Sequence, residues 1–268
     1  MSLSIQGQNG GFGRRFLSQT LRAQSRASQR LASGKRIVSA ADDSAGLAIA
    51  RRLEAEVRGA AQGERNLADG QSLVRTAEAA LGTSQDTIGR MRELTIQAQN
   101  GTLSDADRAT IQQEYDQLAA QLDQTAAGTD FGGRPLLDGS ASGTGAIELT
   151  DGDGGSTQVA IDDARAQALG VSGLDVSDPN TLAALDNAQD TLSSQRARLG
   201  ALDNNLDRQR ERLAVQRENQ EAARSRIEDA DVAREIAEVT RNRILSDLAI
   251  AGQRIQNRDR GRIMDLLA

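Results

Sequence analysis

The sequence predicts a mainly α fold, a long antiparallel coiled-coil-like helical bundle with a small β-hairpin region, and three observations carry that expectation. Across 268 residues there are four aromatic rings, Phe12, Phe16, Tyr115 and Phe131, with no Trp, Cys or His and two Pro. A core without large rings must be built from Ala, Leu, Ile and Val, which suits thin helical packing. Two arrays of apolar residues recur every seven positions, the spacing of a coiled-coil seam. One stretch, 128–173, holds eleven of the 26 glycines and interrupts the helical pattern.

In chain order, residues 1–13 are polar and carry Gly7, Gly10, Gly11 and Gly13, so a flexible start is expected. A helical pattern follows over about 16–31, with Phe16, Leu17, Leu21 and Leu31 as its apolar stripe. Ser33-Gly34 interrupts it, and Asp42, Asp43 and Ser44 are cap candidates for the next helix. That helix should run from about 45 to 100, with Leu53, Ala60, Leu67, Val74, Leu81 and Ile88 in heptad register. At 1.5 Å per residue it would be about 80 Å long. Asn100-Gly101 ends it, and Ser104 with Asp107 has the form of a capping box for a second helix. Ile111, Tyr115, Leu118 and Leu122 mark that helix, and Gly128 closes it.

Within the glycine-rich stretch, residues 146–149 and 157–161 read as two strands of a hairpin. Asp178-Pro179 then opens a helix, with Asp as cap and Pro in the first turn. Its seam is Leu185, Leu192, Leu199, Leu206 and Leu213, expected to pair antiparallel with the first array. The pattern slackens through polar residues 216–220. A last amphipathic helix spans about 226–268, with Val239, Leu245, Leu248, Ile255, Leu266 and Leu267. The expected divisions are therefore 1–44, 45–127, 128–178, 179–225 and 226–268. Both end helices are too thinly apolar to form a core alone, so they fold on each other or against neighbouring copies.

The missing residue types exclude chemistry. Without Cys or His there is no usual zinc, haem or iron–sulfur site, and no Ser–His–Asp or Cys–His nucleophile. Of 32 basic residues only Lys35 is a lysine. No cofactor or metal is expected, and no convergent polar set suggests an enzyme. No apolar run approaches a membrane span, and the first 30 residues lack the apolar stretch of a secretory signal. The net charge of −6 divides into +5 over 1–45, 0 over 226–268 and −11 between. The basic end has no dense cluster and no interleaved aromatics, so nucleic acid is not an expected partner.

Four short patterns have bland readings. Ser33-Gly34-Lys35-Arg36 lacks the first glycine and the Ser/Thr of a phosphate-binding loop and reads as a turn. Asp151-Gly152-Asp153-Gly154-Gly155 lacks the distal ligands of a calcium loop and reads as a hairpin turn. Gly10-Gly11-Phe12-Gly13 follows no strand, so it is no dinucleotide fingerprint. Asn100-Gly101-Thr102 fits a glycan acceptor, but ending a helix already accounts for it.

Longer stretches resemble a known family. Residues 30–37, Arg-Leu-Ala-Ser-Gly-Lys-Arg-Ile, with 39–46, Ser-Ala-Ala-Asp-Asp-Ser-Ala-Gly, are similar to the N-terminal signature of bacterial flagellins. So are Arg90-Met91-Arg92-Glu93-Leu94 and the run from Thr129-Asp130-Phe131 to Leu137-Asp138-Gly139. Near the other end, Gln195-Arg196-Ala197-Arg198-Leu199 and Ser225-Arg226-Ile227-Glu228-Asp229-Ala230-Asp231 match in order. The resemblance spans roughly 17–140 and 180–267. It departs near the start, at Phe131-Gly132-Gly133, and where Arg254, Arg258, Arg260 and Arg262 precede Leu266-Leu267.

The resemblance implies terminal helices that pack as the inner tube of a filament, surrounded by a helical shell. It implies a homopolymeric structural subunit for motility, exported through the flagellar type III apparatus to the cell exterior, with an export chaperone and a cap protein as partners. It also implies docking of the flagellin-sensing Toll-like receptor at positions matching Arg90, Leu94 and Glu114. With about 45 residues between the second helix and the C-terminal array, the chain resembles a minimal flagellin without large outer domains. Two other roles remain open here, the related hook–filament junction protein and a cytoplasmic coiled-coil adaptor.

Overall fold

The structure, a computed structural model, describes residues 6–152 and 154–267; the side chains of 6–12, 256, 259–261 and 263–267 lie outside the described residues. Five helices carry most of the chain: α1 Gln6–Ser33, α2 Ser44–Ala98, α3 Asp105–Gly128, α4 Pro179–Glu228 and α5 Val232–Leu267. Two antiparallel hairpins lie between α3 and α4, β1 Asp130–Phe131 with β2 Arg134–Pro135, and β3 Ile147–Thr150 with β4 Ser156–Val159. The chain divides into a terminal unit, Met1–Ala55 with Asn219–Ala268, and a central unit, Glu56–Glu218.

The central unit holds the core. Leu67, Val74, Leu81 and Ile88 of α2 and Leu185, Leu192, Leu199, Leu206 and Leu213 of α4 are all buried in one cluster with Ile111, Tyr115 and Leu122 of α3. Polar pairs beside the seam set the direction. Gln71 meets Asp207, Arg75 meets Asp203, Gln85 meets Ser193 and Arg92 meets Asp186. The α4 partner falls as the α2 position rises, so the two arrays run antiparallel. Arg196 ties the seam again through Gln85 at 2.6 Å and Glu78 at 3.3 Å.

Caps form where the sequence places them. The Asp43 carboxylate accepts the Gly46 amide at 2.8 Å to start α2, and Asp178 accepts the Asn180 amide at 2.8 Å to start α4. Ser104 and Asp107 close a reciprocal capping box on α3. After β4 the chain lies along α3, pinned at four points. Asp123 accepts the Ala166 amide at 2.8 Å, the Tyr115 hydroxyl donates to the Val171 carbonyl at 3.0 Å, and the Gln112 amide group bonds Leu174 and Val176 at 2.9 Å each. Burial pushes the Tyr115 phenol up to about 12.

The β3–β4 turn rests in a notch on α2. A methyl group at Gly63 would overlap the Asp151 carbonyl, and one at Gly70 would overlap the Leu149 side chain. The absence of a side chain at these two positions lets the hairpin approach the helix backbone. In the turn itself, the Asp151 carboxylate accepts the Gly155 amide at 2.8 Å and Gly152 has φ +79°. Asp153 lies outside the described residues.

The structure differs from the sequence reading at three places. The glycine-bearing start is helical from Gln6, because α1 pairs with α5 and tertiary packing outweighs the roughly 1 kcal/mol that each glycine costs a helix. Helix α4 runs through the polar residues 216–220 to Glu228, past the division expected between 225 and 226. The break instead falls at 229–231. The β1–β2 hairpin was not expected; Gly132 and Gly133, at φ +60° and +80°, make its turn.

Candidate functional site

The terminal unit has little apolar interior. Among the described residues it buries Thr20, Ala27, Ile37, Gly46, Ala50, Glu228, Glu235 and Ser246, of which Ile37 is the one large apolar side chain. Helix α1 packs antiparallel on α5, since Arg30 meets Glu235 and Glu238 while Gly13 lies beside Gln253. Small buried residues let the two backbones approach closely. The Arg30 guanidinium donates to Glu235 at 2.8 Å and to Glu238 at 3.0 Å. Glu235, first, and Glu238 hold that guanidinium above its ordinary value.

Large apolar side chains of this unit face outward. Phe16, Leu21, Val38, Ile49, Val232, Ile236, Ile244, Leu248, Ile250 and Ile255 are exposed, whereas the central unit exposes only Ile96 and Val215 among the described residues. Of the inner-tube residues expected from the sequence, Phe16, Leu21, Leu248 and Ile255 are exposed, and Leu17, Leu31, Val239 and Leu245 are half-buried. The side chains of Leu266 and Leu267 lie outside the described residues. Of the ten heptad residues, nine are buried and Leu53 is half-buried.

The turn after α1 has a partner that sequence reading missed. The Lys35 backbone forms an antiparallel bridge with Asp229, and the Lys35 ammonium pairs with the buried Glu228 carboxylate at 2.6 Å. The Arg36 amide donates to the Glu228 carbonyl at 2.6 Å, its guanidinium to the Ile227 carbonyl at 2.6 Å, and the Ala230 amide to the Gly34 carbonyl at 2.9 Å. Gly34 sits at φ +68°, a backbone state that favours glycine. Nothing local marks this clasp; its only sequence signal is that both halves carry long motifs of one family. Nearby, the Ser39 amide and hydroxyl, with the Val38 amide, hold the Asp42 carboxyl below the usual range.

On the central unit, Arg90 and Glu114 bridge α2 and α3 at 3.1 Å with both heads half exposed, and Arg90 also meets Glu93 at 3.0 Å. These carboxylates, Glu93 first, raise the Arg90 guanidinium above its ordinary value. Leu94 does not share this surface. It is 1% exposed because it completes the α2 face of the core, so the expectation that it meets a partner directly is corrected. Among the described residues no cluster of acids could hold a metal ion, and no helix is long and apolar enough to cross a membrane.

Comparison with known proteins agrees with this layout. The family described as bacterial flagellin N-terminal helical region matches residues 13–142, and bacterial flagellin C-terminal helical region matches 182–267. A flagellin of Bacillus subtilis is 36% identical over 271 residues, covering 85% of this chain and 89% of that protein. A flagellar filament 30.7 kDa core protein of Treponema maltophilum is 32% identical over 258 residues, covering 90% of each. A solved structure described as a flagellar hook-associated protein from Vibrio parahaemolyticus shares the fold, with TM-score 0.58 at 19% identity over 70% of this chain and 99% of that one. At that identity it speaks to fold alone, whereas the two relatives above, each over 30% identical across most of the chain, are a flagellin and a flagellar filament core protein. The chain belongs to the bacterial flagellins and is a structural subunit of the flagellar filament.

Proposed function

We propose that this flagellin polymerises through its terminal unit, is exported unfolded through the flagellar type III apparatus, and works outside the cell as the motility filament. One observation carries the reading: ten large apolar side chains are exposed on a unit that buries a single large one of its own. Exposed apolar surface on that scale marks an interaction face. A second copy supplies the missing cover, and repeated head-to-tail contact gives an open helical polymer. An export chaperone that shields these side chains before secretion, and a cap protein at the growing end, fit the same need.

Seeded polymerisation tests this. The full chain should elongate from filament seeds, and chains lacking 1–44 or 226–268 should not. Growth of a chain lacking both ends would overturn the proposal.

The Arg90–Glu114 pair favours a recognition role as well. We infer that the flagellin-sensing Toll-like receptor docks on this exposed part of α2 and α3, with Leu94 fixing the helix from the core side. Arg is a frequent interface anchor because its planar fork pairs bidentately and its stem packs on apolar surface. Monomer should activate reporter cells carrying that receptor, and Arg90→Ala and Glu114→Ala should each weaken the response. Equal responses from wild type and both variants would remove the assignment.

A further inference from the structure

Residues 225–235 read Ser-Arg-Ile-Glu-Asp-Ala-Asp-Val-Ala-Arg-Glu, without Gly or Pro. Nothing in that run obliges a helix to stop, yet α4 ends at Glu228 and α5 begins at Val232. The Asp229 amide still donates to the Ser225 carbonyl at 2.9 Å, as in a helix. In a continuous helix the next three amides, Ala230, Asp231 and Val232, would bond the carbonyls of Arg226, Ile227 and Glu228. Here the Ala230 amide goes to Gly34 at 2.9 Å, and the Ile227 and Glu228 carbonyls go to the guanidinium and amide of Arg36 at 2.6 Å each. Of the six groups those three helical bonds would use, the turn at 34–36 takes three, the Ala230 amide and the Ile227 and Glu228 carbonyls. On the far side the Asp231 carboxylate accepts the Ala233 and Arg234 amides at 3.0 and 3.2 Å, a ready N-cap for α5.

We propose that Arg36 is a positioning residue for filament assembly, one that holds α4 and α5 apart as two helices by capping the end of α4. With Arg36 in place the break is held and α5 presents Glu235 to Arg30. Without it the run heals into one helix, α5 is re-phased, and its exposed apolar residues leave the polymerising face. The terminal unit therefore has two hydrogen-bonded states, and a turn from the other end of the chain selects between them.

Val232 provides the test. It is the first residue of α5, where Pro is well accommodated, and its amide is needed only in the continuous helix. Val232→Pro therefore blocks healing and touches none of the Arg36 bonds. Val232→Ala removes the same exposed side chain and leaves healing possible. Arg36→Ala is introduced into each of these two full-length chains, and elongation from wild-type filament seeds is followed. In the Val232→Ala chain, Arg36→Ala should slow elongation at least tenfold. In the Val232→Pro chain it should slow elongation less than threefold. An equal loss in both, no loss in either, or, with Arg36 intact, a block in the Val232→Pro chain that the Val232→Ala chain does not share would overturn the proposal.

Discussion

Arg30 and Glu235, 205 positions apart in sequence, form an ion pair of 2.8 Å in which the carboxylate is almost fully buried. The other Glu235 oxygen is buried without a hydrogen-bond partner, so Arg30 is its main compensation. Arg30→Ala should therefore cost about 3 kcal/mol of α1–α5 pairing, the low end for stranding a buried charge because Arg30 keeps some solvent contact. Thermal dissociation of filaments should fall accordingly. Adding Glu235→Ala should restore part of the loss, since it removes the stranded charge.

Two glycines of α2 should respond to alanine with opposite signs. Gly89 has open space around it, so Gly89→Ala should stabilise the chain by about 1 kcal/mol through helix propensity. At Gly63 the same methyl group meets the Asp151 carbonyl, and Gly63→Ala should destabilise by about 1–3 kcal/mol as the hairpin is displaced. Chemical denaturation of the two variants against wild type separates the cases.

The seam should be unequal along its length. Leu199, buried between the arrays, should cost about 2–5 kcal/mol as Leu199→Ala. Leu53 is half-buried, and Leu53→Ala should cost about 1 kcal/mol, in keeping with a smaller apolar area returned to water. Melting of both variants by circular dichroism checks the ranking.

Tyr115 is the only tyrosine, and the chain has no Trp, so phenolate absorbance reports one position. Its folded pKa, about 12, lies above the ordinary value near 10. The raised value favours the protonated fold, so this contribution to stability is complete below pH about 10 and is lost as pH rises toward 12. Phenolate should therefore appear together with loss of helix near the upper end of that window. A titration near pH 10 with the helices intact would contradict the burial of Tyr115.

Features set by neighbouring residues were readable in the sequence. The heptad seams, the Asp43 and Asp178 caps, the Ser104–Asp107 box and the β3–β4 hairpin each depend on residues within a turn or two, or on a repeat long enough to be unmistakable. What could not be read depends on a distant partner. The glycine-bearing start of α1 becomes helical because α5 lies against it. The break at 229–231 faces a turn almost 200 residues earlier, and nothing within residues 225–235 announces it. Arg90 and Leu94 share a helical flank at four-residue spacing, but the position of the core edge between them cannot be read from spacing alone. The α2 notch was overlooked because a glycine at a close approach and a glycine in open space look alike in a string of letters.

Lys35 is the single lysine of the chain and its ammonium is held by Glu228. An endoprotease that cuts after lysine therefore has one address in the whole molecule, the Lys35–Arg36 bond, and a cut there severs α1 from everything that follows. Because that bond lies inside the clasp, its rate of cleavage is a clock for how often the N-terminal turn lets go of residues 227–230. Nicked and intact chains differ by a fragment large enough to separate on a gel, so opening of this joint can be timed in subunits and in filaments without adding a label.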